Sequence, residues 1–141
     1  MDVETAARAY LAKWARAGGA IRNPPSEGEL ERVEERLGIP LPLPLRQLYQ
    51  VADGTRDRDN LDLLDAEFIR LWPVAELELS SEVPGAVEFA DYMLNSSVYR
   101  FVPTTGAIVS CLTGTPETVA PSLETFLIDC LNQEVRDVWV V

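Results

Sequence analysis

The stretch that decides the fold is Phe89 to Phe101, FADYMLNSSVYRF. Its two ends are rich in aromatic residues with a valine, the composition of strands. Its middle, Met93 to Ser97, carries an asparagine and two serines, whose side chains bond the nearby backbone and stabilise bends. Two readings compete: a Ser/Asn/Asp pocket, or a connector between two antiparallel strands. A serine nucleophile needs a base. The chain contains no histidine, and Asp91 alone is a poor activator. The connector is the better reading.

Working outward, Ala86 to Asp91 and Val98 to Pro103 become paired strands. Thr104-Thr105-Gly106 is a hairpin-like turn, and Ala107 to Leu112 a further strand. Upstream, Phe68 to Trp72 reads as a strand stopped by Pro73. Val74 to Leu79 is a short segment fitting a helical turn after the proline, and Ser80 to Gly85 is a turn. Thr113 to Pro121 reads as a loop. Glu134 to Val141 fits a last short strand.

Helices frame these strands. Val3, Ala7, Tyr10, Leu11 and Trp14 recur at helical spacing, predicting a helix from Val3 to Ala17 with Gly18-Gly19 as its stop. Ser26 and Glu29 fit a capping box ahead of Leu30, Val33 and Leu37, and Gly38 ends that helix. Glu27, Glu31, Glu34 and Glu35 lie mostly on its solvent side. Ile39 to Pro44 alternates apolar residues with proline, a rigid connector. Pro44 then sits in the first turn of a third helix with Leu45, Leu48, Tyr49 and Ala52 inward. Ser122 caps a closing helix with Leu123, Phe126, Leu127, Cys130 and Leu131 on one face. Helices, then an antiparallel meander, then a covering helix make an α+β fold: a mostly antiparallel sheet packed against N-terminal helices and a C-terminal helix. A chain of 141 residues is one domain, residues 1–141, with an extra N-terminal helix over about 2–18.

Charge is the loudest compositional fact. There are 23 acids against 12 bases, a net charge of −11 at pH 7. Such a field repels nucleic acid and anionic membrane and attracts basic partners. The start, MDVETAARAYLAKW, has acids and no greasy core, unlike a signal peptide. The apolar runs are too short to span a membrane. Cys111 and Cys130 stand far apart in sequence, outside any metal-binding spacing, and read as buried free thiols in a reducing cytosol. No disulfide between them is expected.

Candidate sites are few. Asp57 to Glu67, DRDNLDLLDAE, fails as a calcium loop. An EF-hand needs oxygen ligands at its first, third and fifth positions and glycine at the sixth; here the fifth is Leu61 and the sixth Asp62. No metal and no cofactor are expected. Glu76, Glu78, Glu82, Glu88 and Asp91 offer many carboxylate pairs, with nothing to select one pair for hydrolytic chemistry. Trp14, Trp72 and Trp139 are read as core. The residues singled out for a partner are Asp57, Asp59, Asp62 and Asp65 in one loop, with Leu61, Leu63 and Leu64 as its anchors, and Glu76, Glu78 and Glu82 further on; a merely solvated loop is the equal competing reading for the first four.

The run PSEGELERVEERLGIPLPLPLRQLYQVADG, Pro25 to Gly54, resembles the N-terminal signature of the SUKH superfamily, the cell-wall-assembly-regulator family. The residues carrying the resemblance are Glu34, Leu37, Gly38, Ile39, Leu41, Pro42, Leu48, Tyr49 and Gly54. FIRLWPVAEL resembles the family's strand-then-proline segment, FADYMLNSSVYRF its central hairpin, Gly106 to Val109 its Gly-x-x-Val strand and SLETFLIDCL its closing helix. Pro44 departs from the pattern, where an acidic or polar residue is common. The resemblance implies a non-catalytic, cytoplasmic binding protein. Bacterial members are mostly immunity proteins that bind and block a polymorphic or contact-dependent toxin, often a nuclease or deaminase; fungal members are regulatory scaffolds. Neither group supplies catalytic residues to carry over. The expected partner is therefore a basic protein toxin domain, neither nucleic acid nor membrane, met by a monomer or weak homodimer. A regulatory scaffold for an endogenous protein is the alternative.

Overall fold

The structure is a computed structural model and describes residues 2–16, 18–55, 69–92, 97–111 and 114–132. Within these the chain runs α1 (Val3–Arg16), α2 (Glu27–Leu37), α3 (Leu43–Tyr49), β1 (Ile69–Leu71), a single 3-10 turn (Val74–Glu76), β2 (Glu78–Leu79), β3 (Val87–Tyr92), β4 (Ser97–Phe101), β5 (Ile108–Ser110), β6 (Glu117–Ala120) and α4 (Leu123–Asn132). The expectations for Asp57, Asp59, Asp62 and Asp65, the anchors Leu61, Leu63 and Leu64, Phe68, Met93 to Ser96, Leu112 and Glu134 to Val141 with Trp139 lie outside the described residues.

The helix ends follow the local chemistry. Asp2 Oδ1 accepts the Thr5 amide at 2.8 Å and caps α1. Ser26 Oγ accepts the Glu29 amide and Glu29 Oε1 accepts the Ser26 amide, both at 3.2 Å, completing the capping box of α2. Gly38, at φ 78°, ends it and donates to the Glu34 carbonyl. Pro44 occupies the first turn of α3, where its missing N–H is no loss. Gly19 lies flat against Trp14: a Cβ there would stand 1.9 Å from the indole ring.

The sheet is antiparallel in the order β1-β3-β4-β5-β6, with β2 also paired to β3. β1 pairs with the far end of β3, Ile69 opposite Tyr92, and β2 with its near end, Glu78 opposite Glu88. They are two halves of one edge strand, split at Pro73 and the 3-10 turn. In β3 the register with β4 jumps between Glu88 and Ala90, so Phe89 is an extra residue. Phe89 and Ala90 then both face the helices, and Glu88 and Asp91 both fall on the other side. The Phe89 ring meets Phe126 of α4 edge-on at 5.6 Å, and Tyr99 of β4 meets it at 4.8 Å. This aromatic trio, with Leu45, Leu48, Ile108 and Leu127, is the fully buried centre of the core.

Three sequence expectations change. Of Val74 to Leu79, read as fitting a helical turn, only Val74–Glu76 is helical, and Glu78–Leu79 is the short strand β2, drawn into the sheet by pairing with β3. Glu117–Ala120, read as loop, is the edge strand β6; Thr118 and Val119 are β-branched and lie between Pro116 and Pro121, a strand signal too short to rise above its proline flanks. Cys130 is buried in the core as expected, whereas Cys111 is only half-buried; both thiols are free. Burial holds both thiols above their ordinary ionisation range, Cys130 far above it.

Candidate partner-binding surface

Opposite the helices, the sheet carries two arginine-centred clusters. Arg70, in the middle of β1, is 4% exposed. Its Nε donates to Asp91 Oδ2 at 2.9 Å and its Nη1 to Glu76 Oε1 at 2.9 Å. The same Asp91 oxygen accepts the Trp72 indole N–H at 2.5 Å, and the guanidinium lies 5.4 Å from the Trp72 ring. Register explains the meeting, since Arg70 stands directly opposite Asp91. Arg100 of β4 stands opposite Glu88. Its Nε donates to Glu88 Oε2 at 3.2 Å and to Ser80 Oγ at 2.9 Å, and its Nη2 lies 3.5 Å from Glu82. Burial is the main force pushing the Glu88 carboxyl up from its ordinary value, against the pull of Arg100; Glu78 and Glu82 add to the push.

These clusters account for four of the five carboxylates that offered pairs in the sequence, all but Glu78. Glu76 and Asp91 belong to Arg70, Glu82 and Glu88 to Arg100. Two acids on one guanidinium hold a structure together; they do not leave a free carboxylate poised over a cleft. Among the described residues no group of three or more His, Cys, Asp or Glu is placed to hold a metal ion. Nor is any described helix long and apolar enough to cross a membrane.

Of the residues singled out for a partner, three are described. Glu76 turns inward to Arg70, its side chain 12% exposed. Glu78 is exposed on β2, and Glu82 is 55% exposed on the turn after it. Asp57, Asp59, Asp62 and Asp65 lie outside the described residues.

Sequence reading missed the way the edge strand is finished along its length. In an antiparallel ladder, alternate residues point their N–H and C=O toward one neighbour and then the other. Trp72 N–H bonds the Phe89 carbonyl, so Arg70 also faces β3, while Ile69 and Leu71 face outward. Residues of the helical layer and of the turn after α3 reach across to this half of the edge. The Tyr10 hydroxyl donates to the Ile69 carbonyl at 2.8 Å. Thr55 donates its amide to the Leu71 carbonyl at 2.9 Å and accepts the Leu71 amide on Oγ1 at 3.1 Å. Tyr49 donates to the Trp72 carbonyl at 2.6 Å, and Asp53 Oδ1 accepts the Val74 amide at 2.7 Å. Gly54 sits so close that a Cβ would lie 2.5 Å from the Leu71 carbonyl oxygen. Arg36 of α2 continues the seal, donating to the carbonyls of Ala75 at 3.2 Å and Leu77 at 2.8 Å.

The seal stops there. The Ser80 amide bonds the Ala86 carbonyl, so Ser80 and Glu78 face β3 and Leu79 faces outward. Among the described residues nothing bonds the outward N–H and C=O of Leu79, and its side chain is 42% exposed. Beside this edge, Glu29, Arg32, Val33 and Arg36 of α2 and Val74 and Ala75 of the 3-10 turn line an open cleft of about 260 Å³.

A family model described as SMI1 / KNR4 family (SUKH-1) matches residues 24–129. The chain belongs to the SMI1 / KNR4 family. No match was found among curated proteins. The SUKH-1 signature residues turn out to have structural work in this fold. Glu34 accepts the Leu41 amide on Oε2 at 2.6 Å and Arg46 on Oε1 at 3.0 Å, while Arg46 also donates to Glu27 at 3.0 Å. This clamp fixes the corner between α2 and α3. Hydrogen bonding to Glu27 raises the Arg46 pKa further above its already high value. Leu37, Leu41, Leu48 and Tyr49 are buried, and Gly54 presses on β1. These residues build the scaffold and its sealed edge, and none of them reaches Leu79 of β2.

Proposed function

We propose that this SUKH-1 chain is an immunity protein that binds a cognate polymorphic or contact-dependent toxin in the cytosol and neutralises it by covering the toxin's active site. The observation that carries the reading is the family match over residues 24–129. The chain's net charge of −11 supports a basic partner. A nuclease must present a positive groove to its substrate, and an acidic protein both fits such a groove and reaches it faster. The pairing of Glu76, Glu82, Glu88 and Asp91 with two arginines supports a binding role over carboxylate catalysis.

The test is co-expression with the C-terminal domain of the toxin encoded beside this chain. Cells survive and the two proteins co-purify if the reading holds; cells die and nothing is captured if it does not. The same family name covers a second reading, a regulatory scaffold for an endogenous protein. It would be favoured by a chain with no toxin gene beside it whose loss alters growth in the absence of any toxin.

A further inference from the structure

Resting on the immunity reading, we propose that the open edge of β2 is where the toxin docks, an extended segment carrying Lys or Arg adding as a strand across Leu79. Three observations meet at this point. The first is the contrast along one sheet edge. The outward carbonyl of Ile69 is bonded by Tyr10 and both outward groups of Leu71 by Thr55, and those of Leu79 are bonded by nothing among the described residues. An unpaired strand edge is a template for another strand. The second is apolar. Leu79 is 42% exposed on the segment that presents its backbone, so side chain and main chain are offered together. The third is charge, which selects the occupant. Glu78 precedes Leu79 and Glu82 follows it on the turn, both exposed. Glu78 has no ion pair among the described residues, and Glu82 has only a long contact to Arg100.

A second copy of this chain is the obvious rival occupant. Pairing β2 with its own copy would bring Glu78 of both chains together, with Glu82 of both close by and only the long Arg100 contacts to offset four acids. A basic segment meets the same acids favourably. The window is short. Arg36 seals the Leu77 carbonyl on one side and the Ser80 amide turns inward on the other. The added strand therefore gains only the main-chain bonds of Leu79, and most of its affinity comes from side chains around that point.

The experiment uses the full chain and the C-terminal domain of the adjacent toxin. Amide hydrogen exchange is followed residue by residue in the free chain and in the complex. The Leu79 amide exchanges quickly in the free chain and slows in the complex. Leu79→Lys places a cation at the docking point and weakens binding about tenfold or more, with unchanged unfolding. Leu79→Pro removes the outward N–H, which an edge strand tolerates, and weakens binding by a similar factor. The proposal is overturned if Leu79 exchanges equally fast in the complex and Leu79→Lys binds as tightly as the native chain. It is also overturned if Leu79 is already protected in a free dimer, which assigns the edge to a second copy. A native chain that does not bind the toxin domain at all removes the immunity reading itself, and this inference with it.

Discussion

Leu71 and Leu79 occupy equivalent places on the same edge of the same sheet, and their surroundings are opposite. Both point their main-chain groups away from β3. Leu71 is 1% exposed, with its amide and carbonyl both bonded to Thr55. Leu79 is 42% exposed, with neither group bonded among the described residues. The difference comes from what stands beside each. Tyr10, Thr55 and Gly54 reach β1, and Tyr49 and Asp53 reach Trp72 and Val74 just after it. Arg36 reaches as far as Leu77 and no further. One half of the edge is closed by the fold, and the other half is left to whatever the chain meets.

The comparison breaks most sharply at Gly54. Its φ of +73° and the 2.5 Å approach to the Leu71 carbonyl oxygen both forbid a side chain. Gly54→Ala should cost about 3 kcal/mol in urea unfolding, part from the left-handed backbone and part from the forced displacement of β1. Gly85, in the turn between β2 and β3, has φ +84° and open space around it. Gly85→Ala should cost only about 1 kcal/mol. Equal losses for the two would show that β1 is not held by this contact.

Next in size is Tyr49→Phe. It removes a 2.6 Å hydrogen bond to a buried carbonyl and leaves the Trp72 oxygen unpaired. The expected loss is about 1–2 kcal/mol, with the largest rise in amide exchange along β1. Leu79→Lys should change stability by about 0.5 kcal/mol or less, measured in the same unfolding series. A loss near that of Tyr49→Phe would mean that Leu79 is part of the core.

The smallest effect is one of pH. Burial raises the Glu88 carboxyl above its ordinary value, so the folded chain holds that proton more tightly than the unfolded chain. Its contribution to stability is greatest below the ordinary glutamate range and fades as pH climbs through the raised value. Glu88→Gln removes this dependence. Measured by unfolding at a series of pH values from 4.5 upward, the variant should gain on the native chain as pH rises. A difference that does not change with pH would place the Glu88 carboxyl in open water.

The α+β fold was legible because its signals are local. The Ser26–Glu29 box, Gly38, Pro44 and the alternation around Phe89 to Phe101 each specify a conformation within a few residues. The two clusters on the open face were only half legible. Arg70 and Arg100 each sit alone in the middle of an otherwise apolar strand, a pattern that marks an internal partner. Which acid answers each arginine depends on register, and register turns on the extra residue at Phe89, which the sequence does not announce. Leu79 was illegible for a different reason. Its importance lies in what fails to reach it, and that depends on the packing of α2 and of residues 53 to 55, far away in sequence.

α1 carries one more consequence. The family match opens at residue 24, yet α1 lies before it and packs on α4 and α3. Ala6 and Ala7 are fully buried, Tyr10 bonds β1, and Lys13 Nζ reaches the Leu131 carbonyl at 2.7 Å. A piece cut to residues 24–129 would therefore leave behind a helix that the core packs against. A gene fusion or recombination that joined at residue 24 would inherit the whole signature and lose one wall of its core, so a graft of this protein has to carry α1 along with it.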